Sequence, residues 1–422
     1  MDINGEALTA ACISRKYAHF DAPLPRAAIR RLVTDSERVS RHAFLPFLHF
    51  TMSRNRFKRR PGGVLEKSKK EREICFAAHA DASIYAYYSV QLSSRYETAI
   101  AEAGVVKNVI AFRRLGRSNV DLAFEAFDWI SNNRPCVAVG MDVKDFFGSL
   151  DHASLKSAWC TVLGTATLPK DHYAVFRSVT KYAWVDLNKA LASLKMTRSQ
   201  YRRARAKRIC SIEAFRSVVR EGDLIRSNSA SKGIPQGSPI SALLSNIYMF
   251  EFDRVVSSIV ESCGGLYRRY CDDILIVVRP ELVDDVKARI NSELLSLHLT
   301  SHQEKELTCA FPADGLADRP LQYLGLVFDG QHIRLRGAGV ARYYSKMRSG
   351  IGQLRRSSAA GRPKVEIRRA ALYRQYTDRS GPNGRSFPAY ALRAAKTTQS
   401  KVIARQIRRH MARFNAWTRP KT

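Results

Sequence analysis

The sequence predicts an α+β fold in which helices lie behind an antiparallel sheet. Two strand-like runs, 265–269 and 274–278, flank the segment Tyr270-Cys271-Asp272-Asp273, which indicates a hairpin with a tight turn. Another strand-like run, 136–141, ends in the acidic residue Asp142. Between these strands, apolar residues from Leu243 to Ile259 recur at helical spacing and predict a helix.

The predicted hairpin carries two adjacent carboxylates, Asp272 and Asp273, which repel each other unless a positive group neutralises them. A divalent metal ion commonly does this, although the same pair standing alone is more often a solvated turn. A pair of Mg²⁺ ions roughly 3.5–4 Å apart needs carboxylates from more than one segment. Asp142 completes that set if its strand lies beside the hairpin, and such a site fits phosphoryl transfer. Asp145 is open between a supporting and a solvated role.

A loop rich in turn residues precedes the predicted helix, from Lys232 to Ser238. Ser238 followed by Pro239 is typical of a helix start, with a serine cap and a proline in the first turn. The turn Pro235-Gln236-Gly237 allows the backbone to approach a substrate closely. In isolation, the same pattern also fits an ordinary junction between a loop and a helix.

The order of these motifs resembles the palm of reverse transcriptases. An acid is followed by the aromatic pair Phe146-Phe147, then by Pro-Gln-Gly-Ser-Pro, then by Tyr-Cys-Asp-Asp. Further blocks similar to that family appear in the same order, at 70–74, 112–118, 302–305 and 321–328. The block at 112–118 has one residue more than the Phe-Arg-Pro-Gly-Arg-Ser form of group II intron enzymes. The resemblance implies a right-hand polymerase with fingers, a palm of antiparallel sheet plus helices, and a helical thumb.

The resemblance also implies roles for single residues. The metal site would be Asp142, Val143, Asp272 and Asp273, holding two Mg²⁺ ions. Lys305 would donate a proton to the leaving pyrophosphate, and Lys70 and Arg72 would contact the triphosphate, a role that suits a forked guanidinium. Phe147 would exclude a ribose 2′-hydroxyl, and Gln236 and Gly237 would line the nucleotide and template side. Nucleic acid would be contacted by Arg113, Arg117, Tyr323, Leu324 and Gly325. Without the family, Phe147 is a core aromatic, and Lys70, Arg72 and Lys305 are solvated charges.

Within the family, the chain is most similar to bacterial defence-associated enzymes of the Abi and unknown-group branch, near the type 2 defence-associated reverse transcriptases. The supporting features are the compact length, the Tyr-Cys-Asp-Asp form, His79-Ala-Asp81 and the basic tail. This implies an RNA template, in the form of a non-coding RNA encoded nearby, a DNA product made from dNTPs, and antiphage defence. The alternatives are a template-independent or protein-primed polymerase, a retron-like enzyme, or a non-catalytic RNA-binding protein. The retron signatures Asn-Ala-x-x-His and Val-Thr-Gly are not in the sequence.

The predicted organisation is a basic N-terminal helical extension (1–60), fingers (61–135), a palm (136–335) with a helical insert (155–230), and a basic helical thumb (336–422). Pro61-Gly-Gly separates the first two parts. Apolar spacing from Asn119 to Ile130 predicts a helix in the fingers. In the thumb, two basic helices are expected near 363–376 and 389–416.

The net charge of +32 on 422 residues indicates a polyanionic partner. Residues 331–422 hold 23 lysines and arginines but only two acids, Glu366 and Asp378, and so account for +21 of that charge. This distribution predicts backbone phosphate binding. Aromatic residues interleaved with the cations predict stacking on unpaired bases; they are Tyr343, Tyr344, Tyr373, Tyr376, Tyr390, Phe414 and Trp417. The cluster Arg202 to Arg208 is expected to be a second contact.

No apolar run is long enough to span a membrane, and residues 1–6 do not begin a signal peptide. We therefore expect no membrane partner and a cytoplasmic location. The eight cysteines are scattered singly, which argues against a zinc site and against a disulfide framework.

Overall fold

The computed structural model describes residues 2–59, 65–205, 207–361, 365–377 and 386–418, and within them it confirms an α+β fold. The strands are β1 (Phe47–Arg59), β2 (Leu65–Phe76), β3 (Cys136–Asp142), β4 (Ala183–Asp186), β5 (Ile225–Ser227), β6 (Leu266–Tyr270), β7 (Asp273–Val278), β8 (Leu307–Phe311), β9 (Leu321–Tyr323), β10 (Leu326–Phe328) and β11 (Ile333–Leu335).

The helices surround these strands. They are α1 (Ile3–Ala11), α2 (Arg26–Val33), α3 (Ser36–Ser40), α4 (His79–Glu102), α5 (Asn119–Asn132), α6 (Phe146–Ser149), α7 (His152–Leu163), α8 (Lys170–Thr180), α9 (Leu187–Ser193), α10 (Arg198–Ala204), α11 (Ile212–Ala214), α12 (Ser241–Tyr248), α13 (Phe250–Ser262), α14 (Val283–Ser296), α15 (Gly337–Ala359), α16 (Val365–Tyr376), α17 (Phe387–Thr397), α18 (Lys401–Ile407) and α19 (His410–Thr418). The π-helical turn Phe215–Arg220 follows α11, and the 3-10 turns are Pro280–Leu282 and Gln303–Lys305.

A four-stranded antiparallel sheet in the order β6-β7-β3-β8 lies at the centre of the molecule. Its strands are buried on both faces, because alternate side chains enter two different cores. Val137, Val139 and Met141 enter one core, whereas Cys136 and Ala138 enter the other. Helices α4, α7 and α12–α14 close the first core, and α5, β9–β11 and α17–α18 close the second. This sheet carries two of the predicted acids, Asp142 and Asp273, at the adjacent ends of its inner strands β3 and β7.

A second sheet, in the order β2-β1-β4-β5, corrects the prediction that residues 1–60 are mostly helical. Helices α1–α3 confirm the helical part, but 47–59 form strand β1, which pairs antiparallel with β2 and parallel with β4. The strand partners of β1 lie beyond residue 60, so the local pattern did not reveal the strand. The predicted break at Pro61-Gly-Gly lies outside the described residues.

The predicted helical insert, 155–230, is helical in α7–α11 but also contains β4 and β5. Strand β4 pairs with β1, and β5 pairs with β4, so the insert and the N-terminal hairpin β1–β2 share one sheet. A small core that includes Leu48, Val185 and Phe215 holds them together. The insert is thus structurally part of the hairpin sheet rather than an appendage of the central one, and the domain boundaries themselves remain predictions.

Helices α15–α19 confirm a helical C-terminal region, but the segment expected to be one helix from 389 to 416 is divided among three. Ser400 caps α18 by accepting a hydrogen bond from the Ile403 amide, which separates α18 from α17. The start of the other helix predicted there, at 363–364, and residues 378–385 lie outside the described residues. Among the helices described, none combines the length and the apolar character needed to cross a bilayer.

Candidate active site

The central sheet brings three predicted acids together at one edge. Asp142 is the last residue of β3 and pairs directly with Asp273, the first residue of β7. Asp272 lies in the two-residue turn between β6 and β7, and its carbonyl accepts a hydrogen bond from the Val143 amide at 3.1 Å. The hairpin and the neighbouring strand therefore have the arrangement that the sequence predicted. Val143 itself is buried, with its main chain beside the turn.

The acids are electrostatically unfavourable as they stand. Partial burial and the nearby Asp142 carboxylate raise the pKa of Asp272. Partial burial and the carboxylates of Asp272 and Asp142 raise the pKa of Asp273 to about 6, against the opposing charges of Lys70 and Arg336. Lys305 forms an ion pair with Asp142, with its Nζ 3.0 Å from Oδ2. A further positive charge at the acids would relieve the remaining repulsion.

The donor set fits a divalent metal ion by its chemistry, since hard cations prefer several carboxylate oxygens. Within the described part of the chain, no group of three or more His, Cys, Asp or Glu side chains is already arranged to hold a metal ion. Lys305 is the cation on Asp142 in this structure. Asp142, Asp272 and Asp273 are thus the candidate ligands. A metal ion would either share the Asp142 carboxylate with Lys305 or displace the Lys305 ammonium from it.

The register of the β1–β2 hairpin determines which charges face the acids. Lys70 and Arg72 are two residues apart on β2 and so share one face, on which Arg54 of β1 lies directly opposite Lys70. The acids Glu71 and Glu73 occupy the other face, where they accept hydrogen bonds from Ser53 and Thr51. The Lys70 ammonium opposes the rise in the pKa of Asp273, which indicates that Lys70 itself lies on the side of the acids.

Two cations of this site were missed by the sequence reasoning. The sequence predicts mostly helix for residues 1–60, and only the alternation along strand β1 places Arg54 beside Lys70. Arg336 precedes α15, donates its amide to the Gly325 carbonyl at 3.2 Å, and acts on Asp273. No local pattern marks Arg336, since only the folded chain brings the end of β11 near the turn that contains Asp272.

The Pro-Gln-Gly turn is docked on the hairpin. The Gln236 carbonyl accepts a hydrogen bond from the Cys75 amide at 2.8 Å, and Gly237 has a φ of +114°. A Cβ on Gly237 would lie 2.6 Å from the Cys75 carbonyl oxygen. The glycine is thus required by the approach of β2, whereas the predicted reason was the approach of a substrate.

The predicted helix start at Ser238-Pro239 is wrong. Helix α12 begins at Ser241, whose hydroxyl donates to the Pro235 carbonyl at 2.6 Å, and the buried Ser238 hydroxyl has no partner among the described residues. The turn folds back on itself before the helix begins, so the serine is not at the cap.

Phe147 is bound through its main chain to the segment that precedes the Pro-Gln-Gly turn. It belongs to the short helix α6, which follows Asp142 closely, and its carbonyl accepts a hydrogen bond from the Ile234 amide at 2.9 Å. Its ring is half-buried, 5.7 Å from the ring of Phe146 between centroids, whereas Phe146 is fully in the core. Phe147 therefore keeps a surface available to a ligand, and Phe146 does not.

The structure contradicts the nucleic-acid role of Arg113. Its side chain is only 4% exposed, and its guanidinium donates to both Glu97 oxygens and to the carbonyls of Val106 and Val109. With every branch engaged inside the protein, Arg113 holds helix α4 against the following loop. Arg117 is exposed and pairs with Glu125, which also binds Arg268 of β6.

The predicted block at 321–328 forms the hairpin β9–β10, with Leu324 (φ +45°) and Gly325 (φ +93°) at its turn. This turn and the exposed side chain of Gln322 are accessible to a nucleic acid. Tyr323 is 6% exposed and belongs to the second core, which contradicts a direct contact from its ring.

The structure corrects the stacking prediction for four of the seven C-terminal aromatic residues. Tyr373, Tyr390 and Trp417 keep partly exposed side chains, and stacking on them stays a prediction. Tyr343, Tyr376 and Phe414 are at most 8% exposed and form a core between α15, α16 and α19. Tyr344 is covered by Arg413, whose guanidinium carbon is 4.2 Å from the ring centroid. These rings stabilise the helical bundle and are not platforms for bases. Sequence interleaving alone does not distinguish the two arrangements, because both use the same residue types.

Comparisons with known proteins give one family and several distant structures. A family model described as "Reverse transcriptase (RNA-dependent DNA polymerase)" matches residues 107–328. The apo telomerase of Candida tropicalis, truncated from its C-terminal domain, is 12% identical over 67% of this chain and 55% of that chain, with a TM-score of 0.41. The telomerase of Candida albicans in complex with the TWJ fragment of telomeric RNA is 11% identical over 90% of this chain and 66% of that chain, with a TM-score of 0.41. This chain thus spans less than two thirds of the length of these telomerases, and no curated protein matches it.

Proposed function

This chain belongs to the reverse transcriptase (RNA-dependent DNA polymerase) family, and we propose that it is itself an RNA-directed DNA polymerase. The observation that carries the proposal is the register of the central sheet, which pairs Asp142 with Asp273 and sets Asp272 beside them. Such an acidic edge, opposite a cationic hairpin face, suits the transfer of a nucleotide from a triphosphate.

Two Mg²⁺ ions, held by Asp142, Asp272, Asp273 and the main chain of Val143, would lower the pKa of the primer 3′-hydroxyl and neutralise the triphosphate. Lys70 and Arg72, with Arg54 beside them, bind and orient the phosphates from the hairpin side. Lys305 is held at the site by Asp142 and carries the proton that the leaving pyrophosphate accepts.

The same site selects the sugar and the template. The exposed part of the Phe147 ring excludes a 2′-hydroxyl, which favours dNTPs over ribonucleotides. Gln236 and Gly237 line the nucleotide pocket from the turn docked on β2. The turn at Leu324 and Gly325, with Arg117 and the basic thumb, holds the primer and template through their phosphates.

The template is an RNA, and we assign it to a non-coding RNA encoded near the gene, copied in defence against phage. This assignment is supported by the Tyr-Cys-Asp-Asp form and by His79-Ala-Asp81, which resemble the bacterial defence-associated branch. A cytoplasmic location follows from that assignment.

Primer extension on an RNA template tests the function. With dNTPs and Mg²⁺, the wild type should extend a DNA primer, whereas Asp272→Ala and Asp273→Ala should abolish incorporation and leave RNA affinity nearly unchanged. Asp284→Ala, which removes an exposed acid on α14, is the matched control and should retain activity. Synthesis retained in the Asp272→Ala/Asp273→Ala double variant would refute the assignment.

Sequencing the DNA product tests the templated reaction separately. A product complementary to the supplied RNA excludes untemplated addition, whereas a product independent of the RNA would favour a template-independent or protein-primed polymerase.

A further inference from the structure

An arginine two residues before the catalytic turn is completely buried. Arg269 of β6 is 0% exposed, as is its partner Asp253 of α13. The guanidinium binds the carboxylate through two parallel hydrogen bonds, from Nε to Oδ1 at 2.7 Å and from Nη2 to Oδ2 at 2.5 Å. Lysine could not reproduce this fork, because its ammonium is a single point of charge.

The third nitrogen of the guanidinium points at the catalytic turn. Arg269 Nη1 donates to the Cys271 carbonyl at 3.1 Å and to Asn246 Oδ1 at 3.1 Å. Asp253 also accepts the Tyr267 hydroxyl at 2.6 Å, which leaves the carboxylate fully engaged. We call these five residues the Arg269 network.

The Arg269 network links several parts of the molecule to the turn. Asn246 belongs to α12, which follows the Pro-Gln-Gly turn, and its amide donates to the Ala111 carbonyl at 2.9 Å. The Arg269 main chain exchanges hydrogen bonds with Asn108 and Ile110, just before the block at 112–118. Arg269 is therefore the point at which two helices and a loop meet β6, the strand that leads into the turn with Asp272.

Cys271, the residue anchored by Arg269, has an unusual backbone. It has a φ of +61°, a region that residues with a side chain avoid. The turn contains only Cys271 and Asp272, so the orientation of the peptide that joins them determines the direction in which the Asp272 side chain leaves the backbone. Without a donor on its carbonyl, this peptide could rotate, and the two acids would change their orientation relative to Asp142.

Stability alone does not account for such a pair. Removing two charges from water costs about as much as their mutual attraction returns, and apolar residues of similar volume often serve equally well. What apolar residues cannot supply is a directed hydrogen bond to the Cys271 carbonyl.

We propose that Arg269 is a positioning residue that fixes the Cys271 carbonyl and thereby holds Asp272 and Asp273 in the orientation needed to bind the metal ions. The inference rests on the proposed function, since it concerns the same acids. Groups that orient metal ligands typically contribute 10–100-fold to metal affinity or activity.

Two variants separate positioning from folding. Arg269→Lys keeps a cation beside Asp253 but cannot bind the carboxylate and the Cys271 carbonyl at once. The double variant Arg269→Met/Asp253→Asn removes both charges and keeps an acceptor for Tyr267. The control is Arg134→Lys at the far end of β3, where the arginine donates to the carbonyls of Gly315 and Gly330.

Mn²⁺ binding to the protein alone, followed by electron paramagnetic resonance, is the main measurement, with urea unfolding and primer extension beside it. We expect Mn²⁺ affinity to fall about 10–100-fold in Arg269→Lys and in the double variant, although the double variant regains stability relative to Arg269→Met. Arg134→Lys should lower stability without changing Mn²⁺ affinity.

Wild-type Mn²⁺ affinity in folded Arg269→Lys would overturn the inference, as would recovery of affinity together with stability in the double variant. A wild type that binds no Mn²⁺ would overturn it together with the metal assignment. If affinity falls as expected but the wild type makes no DNA, the positioning role stands and only the proposed polymerase function fails.

Discussion

Replacing Gly237 with alanine tests how tightly the Pro-Gln-Gly turn is held against the hairpin. The residue has a φ of +114°, and a Cβ there would lie 2.6 Å from the Cys75 carbonyl oxygen and 3.3 Å from Ile74 Cγ2. The first contact is with backbone that is itself fixed, because the Cys75 amide donates to the Gln236 carbonyl. Neither side can move without breaking this bond.

Two terms determine the size of the effect. An alanine at positive φ costs about 1–2 kcal/mol relative to glycine, and forcing a methyl group into a packed contact costs about 1–3 kcal/mol. Gly237→Ala should therefore lower the free energy of unfolding by about 3 kcal/mol. Gly104→Ala is the matched control, since Gly104 has a φ of +74° but nothing within 4 Å of its Cβ position, so only the first term applies.

Urea unfolding of both variants measures the two terms, with the midpoint compared at a common slope. The difference between Gly237→Ala and Gly104→Ala should be about 2 kcal/mol, which is the contact term alone. Gly237→Ala should also raise the KM for dNTPs, because the displaced strand carries Lys70 and Arg72. Equal destabilisation in the two variants would show that the turn is not pressed against β2, and the reasoning would fail.

Two further predictions concern the carboxylate of Asp273 and the buried guanidinium of Arg113. In chelator, Asp273→Asn should raise the free energy of unfolding by about 1 kcal/mol at pH 7.5, a value discounted because Asp273 keeps an exposed surface. The gain should vanish near pH 4, because the folded protein keeps the Asp273 proton up to its pKa of about 6 whereas the unfolded chain loses it near pH 4. Thermal melts of both proteins across this pH range measure how the gain in stability changes with pH. A gain that is independent of pH would contradict the prediction. Arg113→Ala should cost about 2 kcal/mol in urea unfolding because it leaves two carbonyls and Glu97 without their donor. Arg117→Ala, which removes one partner of an exposed ion pair, should cost under about 1 kcal/mol. A larger loss of stability in Arg117→Ala than in Arg113→Ala would show that Arg113 is not held inside the protein.

Three of the four strands of the central sheet could be predicted from the sequence because their signals are local, whereas no prediction covered β8. The strands around Asp272 and Asp273 are adjacent in the chain, and a two-residue turn fixes their register. Strand β3 was identified by its own apolar run, and its pairing with β7 followed from the chemical need to bring acids together. The Ser118 capping box likewise marks the start of α5 at the predicted position.

The hairpin sheet could not be predicted because its partners are remote. Strand β1 pairs with residues 65–76 on one side and with 184–186 on the other. Its own segment, rich in arginine and lysine, has no strong period. This affects the prediction of the site, because the face of the β1–β2 hairpin on which Arg54 lies is defined only once β1 is known to be a strand.

Arginines and aromatics were misassigned for a related reason. Arg113 has its partner Glu97 16 residues away on α4, and Tyr343 meets Tyr376 from another helix. A basic or aromatic residue in a nucleic-acid enzyme is expected to face the ligand, yet the same residue can bind its own protein equally well. Only the tertiary contacts distinguish the two.

The segment 269–273 concentrates three features that the stability of the sheet does not require. Arg269 and Asp253 remove two charges from water, Cys271 has a φ of +61°, and Asp272 and Asp273 repel each other and Asp142. Elsewhere the central strands β3 and β7 are plain apolar runs with paired backbones. Because a sheet of this kind needs none of these features in order to fold, their coincidence at one turn is explained by the chemistry performed there. A binding protein that only held RNA would lose nothing by exchanging the three acids for neutral residues, so the cost of keeping them argues for catalysis.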